Sequence, residues 1–119
     1  MIAIGVDIIE TERVAQSIDR FGERFLRRVY TRRELAYCNG RVASLAARWA
    51  AKEATGKALG TGIGDVSWQE IEVVNETGPC PALKLHGAAA DLAAQLGISR
   101  FAISLSHTRD HAVAFVVGE

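Results

Sequence analysis

The sequence predicts an α+β fold, a small and mostly antiparallel sheet packed with helices, and three observations carry that prediction. An apolar, β-branched run opens the chain at residues 2–9. An Ala- and Leu-rich stretch at 43–59 holds the strongest helical pattern. Behind it lie two pairs of short apolar runs, each pair joined by a turn-type segment, as hairpins require. Strand, helices, hairpin, helix and hairpin in that order exclude the strand–helix alternation of a doubly wound parallel sheet. The 119 residues suffice for one domain with its own core, so 1–119 is expected to be a single unit.

The elements follow in order. Ile2 to Ile9 reads as a buried strand, central in its sheet. Residues 11–29 carry Val14, Ile18, Phe21, Phe25 and Val29 at three- and four-residue spacing, which predicts one or two amphipathic helices. Thr31-Arg32-Arg33-Glu34 is a capping box: Thr31 accepts an orphan amide and Glu34 reaches back to the cap. A short helix follows and ends near Asn39-Gly40. The 43–59 helix has Gly60 at its C-terminal cap, and Ala47, Ala51, Ala54 and Ala58 make a small-residue stripe suited to close packing. Strands near 69–76 and 81–86 flank the turn Glu76-Thr77-Gly78-Pro79. Gly87 to Gly97 reads as a helix with Ala88, Leu92, Ala93 and Leu96 inward. The apolar runs 99–106 and 111–117 close the chain around Thr108-Arg109-Asp110.

Composition excludes several function classes. Lys+Arg 14 against Asp+Glu 14 gives no net charge, so no global field favours nucleic acid or a membrane surface. The one local excess is Arg13, Arg20, Arg24, Arg27, Arg28, Arg32 and Arg33, and it lacks the interleaved exposed aromatics of a nucleic-acid interface. The apolar N-terminus meets an acid at Asp7 and is too short to span a bilayer. Cys38 and Cys80, without metal-type spacing or a secretory signal, predict a reducing, cytoplasmic setting.

The stretch 52–64, K-E-A-T-G-K-A-L-G-T-G-I-G, invites comparison with phosphate-binding loops. A Walker-type loop fails, because Ala51 and Ala58 stand where a glycine and a Ser/Thr are needed. The dinucleotide pattern fails at Asp65. Gly60 to Gly64 also follows a helix C-terminus, whose dipole repels anions. Phosphate binding here must therefore rest on side chains and a metal. Trp49, Glu53 and Lys57 lie on one helical face at four-residue intervals. Taken alone, Glu53 and Lys57 are an ordinary i,i+4 pair worth about 0.3–0.5 kcal/mol. Asp7, flanked by apolar residues on its strand, needs a partner: an arginine such as Arg13 or Arg48, or a cation shared with Glu53. Magnesium takes one or two carboxylates and completes its shell with water and phosphate oxygens, and Lys57 would then neutralise a second phosphate.

The segments G-V-D-I-I-E-T-E-R, R-W-A-A-K-E-A-T-G-K-A-L-G-T-G-I-G and S-L-S-H-T resemble, in length, order and spacing, the short bacterial holo-acyl-carrier-protein-synthase type of 4′-phosphopantetheinyl transferase. Trp49 stands where phenylalanine is more usual, and Thr55-Gly56 is an unusual filling of the variable positions. The resemblance implies magnesium-dependent transfer of the phosphopantetheine arm of coenzyme A to a serine of an apo acyl carrier protein. Adenosine 3′,5′-bisphosphate is the released product. Asp7 and Glu53 would bind magnesium, Lys57 the phosphates, and either Glu53 or a metal-held water would take the serine proton. Arg48, Lys57, Gly60, Gly62, His107 and Thr108 would contact coenzyme A. His86 and His111 are expected to be structural. An acidic carrier would dock on Arg13, Arg20 and Arg24, while Arg27, Arg28, Arg32 and Arg33 read as a solvated face. The resemblance further implies a homotrimer assembled around the strands 99–106 and 111–117, with active sites straddling subunit boundaries.

Overall fold

The computed structural model describes residues 1–76 and 78–119; the expected turn at 76–79 includes Thr77, which lies outside the described residues. Strand β1 (Ala3–Glu10) leads into α1 (Thr11–Phe21), α2 (Glu23–Val29), α3 (Arg32–Cys38) and the long α4 (Val42–Leu59). A short 3-10 turn at Trp68–Glu70 precedes the hairpin β2 (Ile71–Val74) and β3 (Ala82–Leu85). Then come α5 (Gly87–Gln95) and the closing hairpin β4 (Phe101–His107) and β5 (His111–Gly118). All strand pairs are antiparallel, in two sheets ordered β1-β5-β4 and β2-β3. The expected α+β class holds.

Helix α4 lies against the inner face of the three-stranded sheet, and Leu45, Ala46, Ala50, Ala51 and Ala54 are buried there with Ala112, Ala114 and Val116 of β5. A second core gathers Leu59, Val66, Ile71, Ala89, Ala93 and Ile98. The capping box at Thr31 forms as expected, with both reciprocal bonds present. Asn39 and Gly60 end their helices in the left-handed conformation, which spares the terminal carbonyls.

Three expectations need correction. Strand β1 is an edge strand, with β5 at the centre. Its inner side packs on α4 while Ile4 and Ile8 remain 58% and 65% exposed. A continuous apolar run does not distinguish a strand covered on both faces from one covered on a single face within its own chain. Phe21 lies outside the core because Gly22, at φ 56, breaks the helix there and α2 restarts in another direction. In α5 the inward residues are Ala89, Leu92 and Ala93; Ala88 and Leu96 face out. The helix starts one residue later in phase than a stripe through Ala88 requires. Among the described residues no helix is long and apolar enough to cross a membrane.

Candidate active site

The crossing of β1 over α4 builds the site. Gly5 meets the helix backbone directly. A Cβ there would overlap the Ala54 carbonyl oxygen and stand 2.8 Å from the Ala54 carbonyl carbon and 3.1 Å from Ala58 N. The small-residue stripe of α4 supplies the other half of this contact. Side chains alternate along a strand, so Asp7 leaves β1 on the same face two residues later, at the edge of the helix. There Lys57 donates to Asp7 Oδ1 at 3.1 Å and to the Val6 carbonyl at 3.1 Å. The partner of Asp7 is thus a lysine, not Arg13 or Arg48.

Glu53, one turn before Lys57, completes the group. Burial pushes its carboxyl above the usual range and the charge of Asp7 adds to the effect, against the opposing charges of Lys57 and Arg13. Trp49, one turn earlier again, is buried edge-on against Phe25 and Trp68, and the Arg13 guanidinium lies 5.3 Å from its ring centroid. Asp7, Glu53, Lys57 and Arg13 therefore share one flank of α4. Among the described residues no cluster of three or more His, Cys, Asp or Glu forms a larger metal-type site.

Arg48, five residues before Glu53, points elsewhere. At about 100° per residue the two side chains stand roughly 140° apart around the helix. Arg48 is buried, donates to Asn75 Oδ1 at 2.6 Å and stacks 4.3 Å from the Tyr37 ring, while its Nε has no partner. With His107, Ser44, Pro79 and Leu105 it lines a groove of about 290 Å³. Thr108 is not in that lining; its amide and hydroxyl close the hairpin on His111. Gly60 and Gly62, at φ 81 and 67, fold the loop after α4 back on the helix end. One chain thus brings Asp7, Glu53 and Lys57 together, and Arg48 with His107, but not the two groups into one cavity.

The family model for the 4′-phosphopantetheinyl transferase superfamily matches residues 3–116. The chain belongs to that family. A relative from Herpetosiphon aurantiacus, a holo-[acyl-carrier-protein] synthase, is 51% identical across 99% of this chain and 98% of its own. The holo-[acyl-carrier-protein] synthase of Neisseria meningitidis superposes with TM-score 0.90 at 39% identity, over 100% of this chain and 99% of that one. The Helicobacter pylori synthase, solved in complex with coenzyme A, superposes with TM-score 0.89 at 31% identity, over 98% and 99% of the two chains.

In this phosphopantetheinyl transferase fold the basic residues expected on the first helices are all exposed. Arg20 lies over the Phe21 ring, and Arg24 and Arg28 frame a groove of about 230 Å³ with Phe21 and Phe25. Arg33 is not simply solvated, since it binds Glu76 at 2.7 Å. His86 pairs with Glu72 at 3.1 Å. Sequence reasoning gave Gly5 and Lys52 no role beyond membership of the resembling motifs, gave none to Tyr37 or Asn75, and saw Glu34 only as a cap. Signals existed for two of them: a glycine inside a β-branched strand marks close backbone approach, and Lys52 is a charge inside an alanine-rich buried helix.

Proposed function

We propose that the chain is a magnesium-dependent holo-[acyl-carrier-protein] synthase, with residues 1–119 acting as one transferase domain. It moves the 4′-phosphopantetheine arm of coenzyme A to a serine of an apo acyl carrier protein and releases adenosine 3′,5′-bisphosphate. The convergence of Asp7, Glu53 and Lys57 carries this reading. Two carboxylates close enough that the charge of Asp7 adds to the upward push of burial on Glu53, both hard oxygen donors and beside one amine, fit a magnesium ion completed by water and phosphate. Asp7 and Glu53 would hold it, and it would supply charge stabilisation at the diphosphate.

The chain's own residues do the rest. The serine oxygen forms a bond to the pantetheine-side phosphorus as the bond from that phosphorus to the bridging oxygen breaks. The bridging oxygen leaves with the adenosine bisphosphate. The serine proton passes to Glu53 or to a water that the two carboxylates would hold with the cation. Lys57 exchanges its hold on Asp7 for the phosphates. Arg48, whose buried Nε is unpartnered, would contact coenzyme A, His107 and Thr108 would contact its phosphates, and Gly60 and Gly62 would approach its adenosine diphosphate portion. Arg13, Arg20 and Arg24 steer an acidic carrier.

The two groups lie on different flanks of α4, which suits a coenzyme A held between two copies of the chain. The outer sheet face supports that arrangement, since Ile4, Val6, Ile8 and Phe115 all stand exposed on it. We therefore propose a homotrimer, testable by light scattering in solution, acting in the cytoplasm, where free thiols such as Cys38 and Cys80 persist. The decisive assay incubates the protein with coenzyme A, magnesium and an apo carrier protein. One phosphopantetheine added to the carrier's mass is expected; coenzyme A binding without any transfer would make the protein a non-catalytic binding module.

A further inference from the structure

Gly56 sits inside α4, where glycine costs about 1 kcal/mol relative to alanine. Its surroundings give the reason. A Cβ at this position would stand 3.1 Å from both the Cα and the carbonyl carbon of Gly62, tighter than ordinary contact. The Gly56 carbonyl accepts from Gly60 N, from Thr61 N at 3.2 Å and from Gly62 N at 3.1 Å. The Thr61 hydroxyl donates to Gly62 O at 2.8 Å. The loop after α4 is therefore seated backbone to backbone on the last helical turn, beside Lys57, and Gly56 is the buried point of contact.

We propose that Gly56 is a positioning residue for the 60–64 loop: its missing side chain lets the loop rest directly on α4 and fixes where the loop stands relative to Lys57, the two together contacting the diphosphate end of coenzyme A. The role rests on the transferase reading. Helix propensity and sterics make opposite predictions, which separates them. If propensity alone mattered, Gly56→Ala would stabilise the helix and leave kinetics unchanged. With the loop seated as described, the added methyl pushes it away by a few tenths of an ångström, and Gly56→Val pushes it further.

The test measures steady-state transfer and coenzyme A binding by titration calorimetry for wild type, Gly56→Ala and Gly56→Val, each checked for folding by circular dichroism. The expected result is a KM for coenzyme A raised about tenfold in the alanine variant and more in the valine variant, because small displacements weaken positioned contacts steeply. The dissociation constant should rise in parallel, while kcat stays within about twofold and KM for the carrier is unaffected. Wild-type KM and dissociation constant in a folded Gly56→Ala overturn the role of Gly56 and leave the transferase reading standing. A wild-type protein that transfers nothing overturns the reading itself.

Discussion

Lys52 and Glu53 are neighbours in the chain, yet they belong to two charged groups built on opposite physical terms. Lys52 is wholly buried. It donates to Glu34 Oε1 at 2.8 Å, to Ile71 O at 2.6 Å and to Trp68 O at 3.0 Å. Glu34, equally buried, spends its remaining capacity on the amides of Thr31 and Val73. Burial pushes the Lys52 amine below its usual range even with Glu34 beside it, but every polar atom of the pair is matched. The Asp7–Glu53–Lys57 group is the reverse: Lys57 is 57% exposed, and burial and the charge of Asp7 still raise the Glu53 carboxyl with Lys57 and Arg13 beside it. A saturated group locks α3, α4 and β2 together; the open one at the surface is where the proposed mechanism would bring a cation and phosphate. In that reading, stability and function are separated by one residue along a helix.

That contrast can be broken from either side. The largest expected effect is on activity: Asp7→Ala should lower kcat/KM for transfer about a thousandfold and leave the thermal melt nearly unchanged. Lys52→Met should do the opposite. It strands the Glu34 charge in the core and costs about 3–5 kcal/mol by urea unfolding, whereas a Glu34→Leu/Lys52→Met double variant should recover most of that loss.

A smaller change is expected on the basic helix face, where Arg24→Glu should raise KM for an acidic carrier about tenfold at low salt and less at high salt. The smallest concerns Glu72. Burial alone would raise its carboxyl, but hydrogen bonds from Thr31 and His86 and the charge of Arg33 outweigh it and hold the group below its usual value of 4.5. A carboxylate depressed on folding stabilises the protein above about pH 4.5 and loses that contribution as pH falls through its lower folded value. Thr31→Val should therefore lose about 1 kcal/mol of capping energy at every pH. The variant should lose a further part near pH 6 that vanishes in acid, as pH-dependent unfolding would show.

Much of this was legible in the sequence because it is local. Helix periodicity, the Thr31 capping box, the glycine stops and the one-face spacing of Trp49, Glu53 and Lys57 all follow from the chain's own geometry. Asp7 stood out because a carboxylate among β-branched residues needs a partner. The identity of that partner did not follow, since it depends on how closely β1 crosses α4, and Gly5 decides that only when the two meet. The same limit hid the Glu34–Lys52 pair, whose members come from distant segments. Strand order was hidden too, because a continuous apolar run does not say on which edges a strand is paired. Phe21 escaped for a different reason: Gly22 interrupts a periodicity that continues on paper.

The central claim is that Asp7 and Glu53 act as one cation-binding pair. The most direct test measures the rate of phosphopantetheine transfer against magnesium concentration for the wild type and Asp7→Asn. The account predicts that the near-isosteric amide, with one negative charge removed, shifts half-activation to much higher magnesium and lowers the plateau. Identical magnesium dependence and identical plateau in the two proteins would contradict it.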